Sequence, residues 1–166
     1  EPLSLQEELD RIMPVLEVLK DAPVAISVDT YKAKVMAAAI NLGIDCVNDI
    51  WALRQADAEQ VVLDSALARN CGIVLMHMQC DPITMQLNPN YENVVSEVNA
   101  FLMERTQTLT KQGIDGERIA IDPGFGFGKS LDHNLRMLQE FTKFTHQGHP
   151  VLAGISRKSM LGKITG

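Results

Sequence analysis

No run of apolar residues in this chain approaches the 18 or so that a membrane-spanning helix needs. A block of basic residues is also missing, and the net charge is −6. This balance argues against nucleic acid and anionic membrane surfaces as partners. An anionic ligand would have to be met by a few placed groups. Cysteine is sparse: Cys46, Cys71 and Cys80 are scattered and form no Cys-x-x-Cys pair. That pattern points to free thiols in a reducing, cytoplasmic compartment. Metal-ligand spacing is lacking as well, since His77 and Cys80 could supply two ligands and no others are evident. The opening Glu1-Pro2-Leu3-Ser4 has no signal-peptide character. There is no linker, repeat or low-complexity stretch, so residues 1–166 read as a single domain.

What is present is an alternation of helix and strand. Ser4-x-x-Glu7 forms a capping box before Leu5, Leu9, Ile12, Leu16 and Leu19, which share one helical face. Pro14 should kink or split that helix. Strands are expected at Val24–Val28, Ile44–Val47, Ile73–Met76, Ile119–Ile121 and Val151–Ala153. Helices are expected over 32–42, 57–69, 91–112 and 131–144, and a last short one opening at Ser156. Short loops and intervening helices give βα units around a parallel sheet. Two architectures fit, a doubly wound sheet and a (β/α)8 barrel. Asp29, Asn48, His77, Asp122 and the Ser156-Arg157-Lys158 turn each follow a strand. Polar groups at every consecutive strand end favour the barrel, whose site lies at that face. Five strands do not close such a barrel, and the simplest expectation is a partial one, lacking about two strands before Glu1 and one after Gly166.

The run Ile119 to Ser130 carries the strongest signal. A buried strand ends in Asp122, and Gly124, Gly126 and Gly128 then alternate with Phe125 and Phe127. Glycines let the backbone turn sharply and come close to whatever Asp122 holds. A nucleotide P-loop is rejected, because its first glycine would fall on Pro123. No Gly-x-Ser-x-Gly elbow appears. Met76 reads as a pocket wall, His77 as a loop-orienting group, and His146 and His149 as surface residues. Two carboxylates, one carboxamide and one ammonium facing a shared space suit a flat nitrogen heterocycle, because a carboxylate accepts two parallel N–H bonds. Phe127 offers an aromatic wall. A helix starting near Ser156 would present free N–H groups to a carboxylate or phosphate.

Several blocks resemble the dihydropteroate synthases: Ser27 to Lys32, Val47 to Ile50, Leu75 to Gln79, Ile121 to Lys129 and Gly154 to Ser159. The resemblance implies a (β/α)8 TIM barrel of the pterin-binding type, with 1–166 as its central part. It implies a sulfonamide-target transferase of folate biosynthesis that joins a pterin diphosphate to p-aminobenzoate. By the same resemblance Asp122 pairs with the pterin N3 and 2-amino donors, while Asn48 and Asp29 read other pterin nitrogens. Lys158 meets the carbonyl side, Phe127 and the Lys158 stem flank the aminobenzoate ring, and Ser159 meets its carboxylate. Met76 and Gly154 complete the substrate-binding set, with Asp29, Asp122 and Lys158 carrying the catalytic roles. A homodimer is implied too, as is Mg²⁺ whose protein ligand lies outside this chain.

Departures from the family pattern are informative. The first loop, the second mobile loop and the Arg-x-His of the last strand are absent, and Cys80 stands where the family has Gly. The expectation is a chain that holds the pterin half of the site, binds pterin weakly and does not turn over by itself. A methyltetrahydrofolate-binding methyltransferase domain, a noncatalytic pterin binder and a phosphosugar barrel are the rival readings. The Ser156 to Ser159 block favours the synthase among them.

Overall fold

A computed structural model describes residues 3–82, 84–85, 89–158 and 160–162, with the side chains of 66–69 left aside. Its elements run α1 (Leu5–Leu19), β1 (Ser27–Asp29), α2 (Ala33–Leu42), β2 (Cys46–Asp49), α3 (Ala58–Arg69), β3 (Gly72–Met76), α4 (Val94–Lys111), β4 (Ile119–Asp122), α5 (Leu131–Gln139) and α6 (Thr142–Thr145). The capping box forms as the sequence predicts: Glu7 N donates to Ser4 Oγ and Ser4 N donates to Glu7 Oε2. Pro14 does not split the helix, which is continuous from Leu5 to Leu19. Proline removes one helix hydrogen bond, and the packing of Ile12, Met13 and buried Leu16 on the core outweighs that loss.

All four strands are parallel and lie in the order β1-β2-β3-β4. Sequential order without reversal is the arrangement of a barrel wall and has no switch point. The predicted fifth strand is reduced to one parallel bridge between Ile121 and Val151. Ile121 N donates to Pro150 O and Leu152 N donates to Ile121 O, both at 2.9 Å, so the segment still lies alongside β4. The first strand is also shorter than predicted. It begins at Ser27, and Val24 before it is 67% exposed. The predicted helix over 131–144 divides into α5 and α6, and among the described residues after the Ser156-Arg157 turn Met160, Leu161 and Gly162 are helical.

Strand parity decides what the sheet offers to each side, since alternate residues face opposite ways. Val28, Val47 and Ile73 are in register, as are Leu75 and Ile121. These residues turn to the helices and are buried there. Val28, Val47, Ile73, Leu75 and Ile119 sit in one apolar cluster with Met36, Ala39 and Ile40 of α2 and Val62 of α3. A second cluster joins Ile121 and Phe125 to Val94, Val98 and Leu102 of α4 and Met137 of α5. The opposite parity carries Asp29, Asn48 and Asp122.

Candidate active site

Asp29 of β1 is in register with Asn48 of β2, which is in register with Val74 of β3. Two residues beyond Val74 on the same face is Met76, in register with Asp122 of β4. Asp29, Asn48, Met76 and Asp122 therefore share the sheet face turned away from the helices, and they line one cleft of about 200 Å³. Phe127, Gly154 and Lys158 close it from the loops after β4 and Val151. Seven of the predicted site residues thus come together, and Ser159 lies outside the described residues. Two larger grooves, of about 530 and 500 Å³, run beside α1 and the end of β1. Their linings include Leu3, Tyr31 and Ile50 and are mainly apolar. Chemistry, not size, singles out the smaller cleft.

Its polar groups are only partly satisfied. Asn48 Nδ2 donates to Asp29 Oδ2 at 3.2 Å. Asn48 Oδ1 is buried and has no hydrogen-bond partner among the described residues. A buried acceptor without a donor costs about 1–3 kcal/mol, so a ligand N–H would be favoured there. Asp122 Oδ1 accepts from Gly124 N at 2.7 Å. The Lys158 ammonium sits 4.1 Å over the centre of the Phe127 ring, a cation–π contact.

Burial is the main reason both acids are harder to ionise than usual. Asp122 is pushed up by burial, against the opposing pull of the Gly124 N–H, Lys129 and Lys158. Asp29 keeps some solvent contact, yet loss of hydration again leads, the Asn48 bond opposes it, and the Glu8 charge adds to the rise. Carboxylates in this state gain from a ligand that brings parallel N–H donors.

The glycine loop after Asp122 explains why only glycine serves there. Gly124 has φ +70, and a Cβ on it would lie 2.0 Å from His77 O. Gly128 has φ +61, and its Cβ would meet the Gln79 backbone at 3.0 Å. The loop is thus pressed against the chain leaving β3. Gly126, at φ +79, leaves room for the Lys158 stem, which a Cβ would approach to 3.1 Å.

Known proteins fit this geometry. The chain matches the family described as pterin binding enzyme over residues 1–166. The chain belongs to the pterin binding enzyme family. It is 48% identical over 163 residues to the dihydropteroate synthase of Haemophilus influenzae, covering 98% of this chain and 58% of that protein. The solved Burkholderia cenocepacia dihydropteroate synthase complexed with 7,8-dihydropteroate superposes with a TM-score of 0.90 at 44% identity, over 100% of this chain and 60% of that one. The Xanthomonas albilineans enzyme with 4-aminobenzoic acid gives a TM-score of 0.90 at 42% identity, over 100% and 57%. This chain therefore spans under two thirds of the length of these relatives. Its parallel, sequentially ordered sheet is part of a (β/α)8 barrel.

Around this cleft the structure adds residues that sequence reasoning missed. Lys129 is 3% exposed, and its ammonium donates to Gly124 O and Phe127 O, both at 2.9 Å. The same ammonium lies 3.0 Å from His77 Nδ1. Asn134 of α5 accepts from Gly126 N at 2.7 Å and donates to Ser130 O at 2.6 Å, tying the glycine loop to the helix. Asp49 is fully buried and accepts from Trp51 N at 2.9 Å and Leu53 N at 2.8 Å. It holds the turn in which Ala52 and Leu53 take positive φ. Glu8 of α1 bonds both Thr30 and Lys32, fastening α1 to the end of β1. Lys129 closes the Ile121 to Lys129 block, but the sequence gives it no role beyond the rejected phosphate-loop reading. Nothing in the spacing marks Asn134 or Asp49.

His77 orients the loop, as the sequence suggests. Its backbone N donates to Asp122 O at 2.9 Å and its ring meets Phe101 edge-on at 5.0 Å. Burial, with Lys129 and Arg54 nearby, drops its pKa to about 3. The ring is therefore neutral. Facing an ammonium, its Nδ1 is the acceptor.

Proposed function

We propose that the protein is a dihydropteroate synthase, condensing 6-hydroxymethyl-7,8-dihydropterin diphosphate with p-aminobenzoate to give 7,8-dihydropteroate and diphosphate. The observation that carries this reading is the gathering of Asp29, Asn48, Asp122 and Lys158 around one small cleft. Similarity to synthases solved with 7,8-dihydropteroate and with 4-aminobenzoic acid supports it. Asp122 accepts the paired N3 and 2-amino donors of the pterin. Asn48, whose Oδ1 waits without a donor, and Asp29 read the remaining ring nitrogens. Lys158 donates to the carbonyl side while its stem and Phe127 flank the aminobenzoate ring.

The reaction in this reading is a displacement. The bond between the 6-methylene carbon and the diphosphate oxygen breaks, and diphosphate leaves with the electron pair. Positive charge spreads into the pterin, and the Asp29 and Asp122 carboxylates are aimed at it. Fixed charge of this kind stabilises the developing cation without reorganisation. The aminobenzoate amine then attacks the methylene and loses a proton. Mg²⁺ belongs to this reading as well, with its protein ligand outside this chain; among the described residues no group of three or more His, Cys, Asp or Glu could hold a metal ion, and no step is routed through one.

The three free thiols support a reducing, cytoplasmic setting. Assembly as a homodimer belongs to the same reading, and light scattering on the protein at its natural length checks it. The deciding experiment is calorimetry and turnover with pterin diphosphate and p-aminobenzoate. Asp122→Asn should weaken pterin binding by about two orders of magnitude, since truncating one partner of a buried charged pair costs about 2–5 kcal/mol. Unchanged pterin affinity in that variant would refute the assignment.

A further inference from the structure

Lys129 has no place in the chemistry above, yet it is the most deeply buried cation of the site. Lysine is almost never fully buried without partners. Here the ammonium has four acceptors within reach, and each belongs to one of the segments that hold Asp122. Gly124 O and Phe127 O, at 2.9 Å, are in the glycine loop. His77 Nδ1 at 3.0 Å and His77 O at 3.4 Å are at the end of β3.

These contacts converge on Asp122 by two short routes. Gly124 takes the ammonium on its carbonyl and gives its N–H to Asp122 Oδ1 at 2.7 Å. His77 takes the ammonium on its ring nitrogen and gives its backbone N–H to Asp122 O at 2.9 Å. One residue therefore fixes both the side chain and the main chain of the acid. Its charge also acts on the carboxylate, opposing the rise that burial causes. A purely structural bolt would need neither the charge nor the convergence. An aliphatic side chain would fill the volume without its desolvation cost.

We propose that Lys129 is the positioning residue for Asp122, holding the carboxylate in its ligand-facing orientation through Gly124 and His77. This inference rests on the pterin reading of the site. Burial pulls the Lys129 ammonium down to about 7, while Asp122 pulls it back up and Lys158 adds to the lowering. Lys129 in turn opposes the rise of Asp122. The other charged or titratable groups facing the pair are Asp29 from β1, His77 from β3 and Lys158 from the segment after Val151. Arg54 acts on His77 as well.

The test uses the protein at its natural length. Lys129→Met and Lys129→Gln remove the charge, and Asp122→Asn removes the group it serves. Calorimetry with 6-hydroxymethyl-7,8-dihydropterin diphosphate is run on each variant and on Lys129→Met combined with Asp122→Asn. Expected are a loss of tenfold or more for either Lys129 variant alone and less than threefold further loss when Asp122 is already Asn. The carbon NMR titration of the Asp122 carboxyl should move to higher pH in both Lys129 variants. Additive losses, or an Asp122 titration unmoved by the substitution, overturn the proposal. Should neither variant fold, the nitrogen resonance of the Lys129 ammonium in the unsubstituted protein decides. It should shift on pterin binding and fail to shift in Asp122→Asn, and a shift of equal size in both overturns the proposal. Failure of the pterin reading looks different: the unsubstituted protein then binds no pterin, or Asp122→Asn binds it unchanged.

Discussion

Gly124→Ala should be the most damaging small substitution in the molecule. The added Cβ would lie 2.0 Å from His77 O, where real Cβ contacts stay above 3.0 Å, so the loop and the end of β3 must part by at least about 1 Å. A residue with a side chain also resists the φ of +70, at a cost of about 1–2 kcal/mol. Parting the segments strains the bond from Gly124 N to Asp122 Oδ1, and bonds to charged groups are worth about 1.5–3 kcal/mol. Together these give roughly 3–5 kcal/mol. At about 2–4 °C per kcal/mol for a chain of this size, the melting temperature should fall by about 10 °C. Gly148→Ala is the control. It has a similar φ of +83, but nothing lies within 4 Å of its Cβ. That variant should lose about 1 kcal/mol, or roughly 2–4 °C, with pterin affinity intact. Thermal and urea unfolding measure the stabilities, and calorimetry with the pterin measures the site. Equal losses in the two variants, with pterin binding preserved in Gly124→Ala, would refute the claim that the loop is pressed onto His77.

Two further outcomes follow from other residues. Burial raises Asp49 from 3.8 to about 6, so the native state binds the extra proton in that window. Stability should therefore fall as pH rises from about 4 to about 6, by roughly 3 kcal/mol from this group. Subtracting the urea-unfolding profile of Asp49→Asn isolates the effect, and a flat difference would contradict it. Cys80 is exposed and takes a positive φ of 61. Cys80→Gly should be neutral to slightly stabilising, by up to about 1 kcal/mol, because relief of the left-handed strain outweighs glycine's entropy cost. It should also remove the fastest thiol in a labelling time course, since Cys71 is buried and Cys46 half-buried. A labelling rate unchanged by the substitution would count against that assignment.

Much of this was legible because parity and spacing are written into the chain. Asp29, Asn48 and Asp122 end short apolar runs, and a parallel sheet turns such residues to a common mouth. The glycine loop announced itself through alternation with Phe125 and Phe127. Other features depended on distances that no local pattern encodes. Pro14 reads as a breaker, but the packing of Leu16 and its neighbours overrides it. Val151 reads as strand, but only one bridge to Ile121 forms. Asn134 reaches Gly126 across a loop of eight residues in sequence separation, and Lys129 reaches His77 across 52. Side chains recruited from such separations become visible only after the chain has folded.

The register of the strands carries a consequence for how such a chain can vary. Asp29 faces Asn48, while Asp122 faces Met76, two residues past the partner of Asn48. Inserting a single residue inside β2 or β3 would swap the interior and exterior of every later position in that strand. Length changes are therefore tolerable inside the strands only in pairs, and odd-numbered ones must fall in the connections. Recombining segments between relatives should preserve binding when crossovers lie in the helices or the helix-to-strand turns, and abolish it when they shift a strand by one.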